Sequence, residues 1–251
     1  MAKILIVDDE YHAGHADVLA YRQMLQIHDL TIETNPKRVQ AIIEDLQPDL
    51  IILDQSMPEI SGCTIAEWKL KNYPAIPIIF TTGNTSREHE RDAFAQYRAL
   101  DYVAKPIKPA IMELIIKRTL EGKRYNGCHS IAVIEAYSHA ELEMTGVEIY
   151  RYSSEMVDMN SVLSRQPGVV IVQAGLSNEE LLYEMLRGRA DCPYLLSLQP
   201  NKKKLGRLRP IKMILDSLNF GAHGYVKLPI VKDVFEARMK SILFPPETII
   251  L

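Results

Sequence analysis

The sequence predicts two α/β units, each built on a parallel sheet with helices on both faces, and three observations carry that expectation. Short apolar runs such as 4–7, 50–53 and 169–172 alternate with longer stretches of helical spacing, the pattern of strands buried on both faces. A length of 251 residues exceeds one small domain and is comfortable for two. The alternation stops at Glu121-Gly122-Lys123-Arg124-Tyr125-Asn126-Gly127 and then restarts, and a charged, glycine-containing break of this kind reads as a linker. The expected division is 1–121, a linker over 122–128, and 129–251.

In the first unit, strands are expected over 3–7, 30–34, 50–53, 76–81 and 102–104. Thr85-Ser86-Arg87-Glu88 offers a capping box ahead of Ala93, Phe94 and Tyr97, which places a helix start there. A last helix runs from about 109 to 120, with Ile111, Leu114, Ile115 and Thr119 facing inward. In the second unit, strands are expected over 131–134, 147–150, 169–172, 194–198 and 225–228. The halves match in detail: Gln47-Pro48 before one apolar run has its counterpart in Gln166-Pro167, Ala75-Ile76-Pro77 in Asp191-Cys192-Pro193, and Lys105-Pro106 in Leu228-Pro229. Matches recurring in the same order at successive strands indicate a duplicated domain.

Composition narrows the function. Hydrophobic residues at 47%, charged residues at 24% and a net charge of −3 describe an ordinary soluble protein with no general pull toward nucleic acid. The apolar runs fall far short of the roughly 20 residues a membrane span needs. Met1-Ala2-Lys3 leads straight into a strand without a secretory leader, so a cytoplasmic location is expected. Cys63, Cys128 and Cys192 are too widely spaced for a zinc site or a disulfide framework. The seven histidines show no ligand spacing. The basic run 202–212 reads first as a solvated loop and second as a docking surface for an acidic protein.

Ligands of a doubly wound sheet bind beyond the carboxyl ends of its strands. There the first half places Asp8 and Asp9 after strand one, Asp54 at the end of strand three, Thr82 after strand four, and Lys105-Pro106 after strand five. Converging carboxylates repel by about 4 kcal/mol per pair at roughly 4 Å and an effective dielectric near 20, so they need a cation. Hard oxygens with open positions suit Mg²⁺. A phosphoryl group arriving at Asp54 would then meet the metal, Lys105 and the Thr82 hydroxyl.

These residues, in Ile4-Leu5-Ile6-Val7-Asp8-Asp9-Glu10 and Asp54-Gln55-Ser56-Met57-Pro58-Glu59-Ile60-Ser61-Gly62, resemble the receiver domain of bacterial response regulators over residues 3 to about 120. The resemblance implies a flavodoxin-like (βα)5 fold with strand order 2-1-3-4-5 for each half. It implies Asp54 as phosphoacceptor and Asp8, Asp9, Asp54 and the Ser56 backbone carbonyl as Mg²⁺ ligands. Thr82 and Tyr102 become the switch pair, Lys105 the partner of the phosphoryl group, and the Lys105-Pro106 bond cis; Gly83 leaves the acceptor accessible. Arg98 departs from the family, which usually carries a glycine there, so the fourth helix is expected to end differently.

The second half keeps the strand pattern without the site: Asp8-Asp9 becomes Glu135-Ala136, Asp54 becomes Gln173, Thr82 falls near Leu198, and Lys105 becomes Leu228, with Lys227 one residue off. It reads as a pseudo-receiver that takes no phosphoryl group. The expected whole is a two-component response regulator, phosphorylated on Asp54 by a histidine kinase or histidine phosphotransfer protein. It would signal through contacts with an output protein the sequence leaves unknown, with a homodimer left open and nucleic acid not expected. No turnover activity of its own is expected. The alternatives are the N-terminal regulatory part of a longer enzyme or transcription regulator, and an unphosphorylated docking scaffold.

Overall fold

A computed structural model describes residues 1–11, 28–121, 130–136, 142–187, 193–199, 209–226 and 228–243. The expected linker 122–128, most of the basic run, Lys227, Cys128, Cys192 and the apolar tail 244–251 lie outside the described residues.

Five parallel strands, β1 (Lys3–Val7), β2 (Asp29–Glu33), β3 (Leu50–Asp54), β4 (Ile78–Thr82) and β5 (Asp101–Ala104), form the first sheet in the order β2-β1-β3-β4-β5. Ile4 to Val7 and Leu50 to Leu53 are fully buried, which is why these strands read as unbroken apolar runs rather than alternating ones. The second sheet contains β6 (Ser130–Glu135), β7 (Glu148–Ser153), β8 (Val169–Gln173), β9 (Tyr194–Leu198) and β10 (Gly224–Val226). Its order, β10-β9-β8-β6-β7, is the same topology counted from the other edge. The fold is therefore α/β and flavodoxin-like, with two five-stranded parallel sheets. Contacts divide the chain into compact units at Glu113 and Leu114, inside the Pro109–Glu121 helix rather than at the expected linker.

Local chemistry sets the helix ends. The Arg87–Ala95 helix is capped by Ser86, whose side chain accepts from the His89 N–H at 3.2 Å, so the cap is one residue later than the expected Thr85. Arg98 takes a left-handed conformation, φ 55, and the Ala99 N–H returns to the Ala93 carbonyl at 3.0 Å. That helix thus closes by the turn glycine usually makes, correcting the expectation drawn from the missing glycine. Gln47 and Gln166, each just before a proline, both sit at positive φ (47 and 48). Gln47 adds side-chain donation to the Glu44 and Ile43 carbonyls at 3.0 and 3.3 Å, satisfying groups that a helix end leaves bare.

At the β10 edge, buried His223 accepts the Leu195 N–H on Nδ1 at 2.8 Å and stacks on Tyr194 at 4.7 Å. Burial pushes its pKa down to about 4. A folded value below the ordinary 6.5 means stability is fully present above pH 6.5 and is lost as pH falls toward 4. The gap corresponds to about 3 kcal/mol. Thermal melts of the wild type are expected to lose stability between pH 6.5 and 4.5, and His223→Gln, which keeps an acceptor without the titration, to flatten that slope. Equal slopes would remove His223 from the account.

Candidate acidic site at the carboxyl ends of the first sheet

Four strand ends of the first sheet converge on one pocket. β1 delivers Asp8, β3 ends on Asp54, β4 ends on Thr82, and Lys105 follows β5. Lys105 is the centre of it: Nζ donates to Asp54 Oδ2 at 2.5 Å and lies 3.2 Å from Asp8 Oδ2 and 3.5 Å from Glu10 Oε2. The second oxygens are also engaged, Asp54 Oδ1 accepting from the Ser56 N–H at 3.1 Å and Asp8 Oδ1 from the Glu10 N–H at 3.0 Å. The Lys105-Pro106 peptide is cis, as expected, and so is Leu228-Pro229.

The electrostatics are uneven because one ammonium serves three carboxylates. Burial works against the Lys105 charge, but the hydrogen bond to Asp54 and the charges of Asp8 and Asp54 outweigh it and raise its pKa. Asp8 gets only a share of that ammonium, and burial leaves its carboxyl raised. Asp9 is raised by burial first and then by the Asp54 charge, and its Oδ1 is buried with no hydrogen-bond partner among the described residues.

Asp8, Glu10 and Asp54 each offer an oxygen within 4.8 Å of the others. Glu10, which sequence reasoning did not single out, is therefore part of the cluster, while Asp9 is not. An oxygen-ligated divalent cation fits this donor set, since three hard carboxylate oxygens converge there and the ion would offset a carboxylate excess that Lys105 alone leaves.

Thr82 and Tyr102, expected as a switch pair, both reach the Asn84 carbonyl. Thr82 is fully buried; its Oγ1 accepts from the Asn84 N–H at 3.0 Å and donates to the Asn84 carbonyl at 3.1 Å. Tyr102 points inward, 5% exposed, its hydroxyl 2.9 Å from Gln55 Oε1 and 3.0 Å from the Asn84 carbonyl. Burial raises its pKa to about 12. Gly83 has open space where a Cβ would stand, but a Cβ on Gly62 would lie 2.1 Å from the Asp54 carbonyl oxygen.

A family model described as the response regulator receiver domain matches residues 4–117. Those residues are a response regulator receiver domain. Among relatives of the receiver segment, the transcriptional regulatory protein CreB of Escherichia coli is 35% identical over 108 residues, 42% of this chain and 45% of that protein. A probable cyclic di-GMP phosphodiesterase of Vibrio cholerae is 32% identical over 126 residues, 48% of this chain and 27% of that protein. A protein-glutamate methylesterase/protein-glutamine glutaminase of Geobacillus kaustophilus is 29% identical over 125 residues, 48% of this chain and 35% of that protein. The chain thus spans less than half the length of these relatives. Two of the three are enzymes by name, which overturns the expectation that a receiver of this type implies a protein without turnover: receivers occur in both kinds.

At the corresponding strand ends of the second unit, the residues are satisfied among themselves. Glu135 is paired with Arg151 from β7 at 2.6 Å, and Gln173 Oε1 accepts the Ala136 N–H at 3.0 Å. Register also refines one correspondence. Asp54 lies opposite Thr81, and Gln173 opposite Leu198, so Leu198 matches Thr81 and the residue matching Thr82 is Gln199. No described helix is long and apolar enough to cross a membrane.

Proposed function

We propose that the receiver domain accepts a phosphoryl group on Asp54 from the phosphohistidine of a histidine kinase or phosphotransfer protein in the cytoplasm. The observation that carries the reading is the buried Asp54 carboxylate held against Lys105, with Asp8, Asp9 and Glu10 around it. An Asp54 oxygen attacks phosphorus, the P–N bond of the donor breaks, and the imidazole nitrogen leaves with the electron pair, giving an acyl phosphate. Lys105 pairs with the added negative charge, and Thr82 turns its hydroxyl toward it. Asp8, Asp9, Asp54 and the Ser56 carbonyl hold Mg²⁺ in this reading, and the bound ion supplies positive charge against the phosphoryl oxygens. The turn of Thr82 biases the Asn84 and Tyr102 surroundings, and an output protein reads the difference.

The second unit is a pseudo-receiver in this proposal. Its Glu135–Arg151 pair, Gln173 and Leu228 support that role, because no free carboxylate pair or lysine stands at those positions. Incubation with acetyl phosphate and Mg²⁺ is expected to add one phosphoryl group per chain to the wild type and none to Asp54→Asn. Label retained by Asp54→Asn, or two groups per wild-type chain, overturns it; no label on either protein favours the docking scaffold. The greater length of the relatives favours a second reading, in which these units regulate an effector on the same polypeptide, and the size of the natural product decides it.

A further inference from the structure

We infer that Gln55 is a positioning residue that ties the Tyr102 side chain to the acceptor strand and keeps it inside before any phosphoryl group arrives. The inference rests on the reading of Asp54 as acceptor and Tyr102 as part of the switch, and gives that switch a defined starting state.

Gln55 directly follows Asp54 and is itself 5% exposed. Its backbone is fixed on both sides, its N–H donating to the Thr81 carbonyl at 2.9 Å and its carbonyl accepting the Gly62 N–H at 3.1 Å. Its amide Nε2 lies 3.7 Å from Cys63 Sγ, leaving Oε1 aimed at the Tyr102 hydroxyl 47 residues away in sequence.

A phenol has one proton, and Tyr102 has two acceptors for it, Gln55 Oε1 at 2.9 Å and the Asn84 carbonyl at 3.0 Å. The Asn84 carbonyl, with two lone pairs, accepts the Thr82 hydroxyl at 3.1 Å as well, so Tyr102 shares that acceptor but not Gln55 Oε1. The contact with Gln55 is the fully buried one of the two, and a buried hydroxyl that loses its acceptor bears the desolvation cost in full. Among the described residues β5 is also an edge strand, with no strand beyond it to block the ring from swinging outward. Gln55 therefore supplies the buried acceptor that holds Tyr102 in. When Thr82 turns toward the acceptor, the Asn84 carbonyl loses one of its two donors; the change is read in the Asn84 segment rather than in an outward-to-inward swing of the tyrosine.

The test is fluorine NMR on full-length protein carrying 3-fluorotyrosine, with the Tyr102 resonance identified as the one missing from Tyr102→Phe. In the wild type that resonance is expected to stay at a buried position with and without Mg²⁺ and beryllofluoride. Gln55→Met, which matches the shape but offers no acceptor, is expected to shift or split it toward free fluorotyrosine in the resting protein, with beryllofluoride moving it back. Gln55→Glu, which keeps an acceptor, is expected to retain the wild-type resting position. Circular dichroism melts establish that each variant is folded. A resting Gln55→Met resonance at the wild-type position overturns the inference, as does a Gln55→Glu resonance displaced as far as that of Gln55→Met. The resting-state comparison needs no phosphoryl group, so it stands or falls separately from the Asp54→Asn labelling result.

Discussion

Replacing Gly62 by alanine is expected to lower the stability of the first unit by about 3 kcal/mol and to stop phosphoryl uptake at Asp54. The added Cβ would lie 2.1 Å from the Asp54 carbonyl oxygen, 3.0 Å from its carbonyl carbon and 3.1 Å from Gln55 Cα. All three are backbone atoms at the end of a strand paired with β1 and β4, so no side-chain rotation relieves the clash. Overpacking a core costs about 1–3 kcal/mol, and a rigid neighbour puts this position at the upper end. Moving the Asp54 carbonyl also moves the carboxylate away from Lys105 and breaks the Gly62 N–H bond to Gln55. Urea denaturation and acetyl phosphate labelling measure the two effects. Gly83→Ala is the control for stability, since a Cβ there meets nothing within 4 Å and exposed substitutions usually stay within about 0.5 kcal/mol. A Gly62→Ala protein with wild-type midpoint and uptake would show that this close approach does not govern the site.

Lys105→Met is expected to cost about 3 kcal/mol at pH 8 without Mg²⁺, because removing one partner of a buried ion pair leaves charge uncompensated, typically at about 3–5 kcal/mol. The side chains of Lys105, Asp8 and Asp54 are only 9%, 3% and 4% exposed, whereas Glu10 is 55% exposed and its share is screened by water. The pH dependence has a definite sign. Asp8 and Asp9 already lie above the ordinary aspartate value, and a carboxyl raised in the folded state gains stability as pH falls through that raised value toward the ordinary one. Loss of the ammonium raises Asp8 further, so the penalty should shrink from pH 8 to pH 5. Lys105, itself raised, contributes stability that is present below its ordinary value of 10.5 and lost only as pH climbs through the folded one. Added Mg²⁺ should recover part of the loss at pH 8 and little at pH 5, where protons compete for the same oxygens. Chemical denaturation of both proteins at the two pH values checks this, and a penalty independent of pH would count against carboxylate repulsion as its cause.

The fold and the centre of the site were legible because the physics that makes them is local or strictly periodic. Ile4 to Val7 and Leu50 to Leu53 are buried on both faces, so nothing polar interrupts them until the strand emerges, and the first polar residues there, Asp8 and Asp54, are the pocket. Lys105 was found the same way, one residue beyond β5. What stayed hidden depended on distance or on counting. Gln55 is one more polar residue after a strand until Tyr102, from another strand, meets it. Glu10 is exposed and acidic, like any solvated glutamate, and joins the pocket only because Lys105 reaches three acids from one point. The match of Thr82 to Gln199 rather than to Leu198 required the register of β8 on β9, which loops of different length conceal.

The Glu135–Arg151 pair in the second unit bears on what it would take to build an acidic cluster there. Arg151 holds Glu135 at 2.6 Å and also donates to the Leu142 carbonyl at 2.9 Å, so the position next to Glu135 already carries a guanidinium. Ala136→Asp and Gln173→Asp would place carboxylates beside a positive charge that is built in and cannot dissociate. The arginine is a ratchet: acids added while it stays gain a partner and no vacancy for a metal, and replacing it first strands Glu135 in the interior. Neither change alone gives this half an open acidic site, so the two would have to come together.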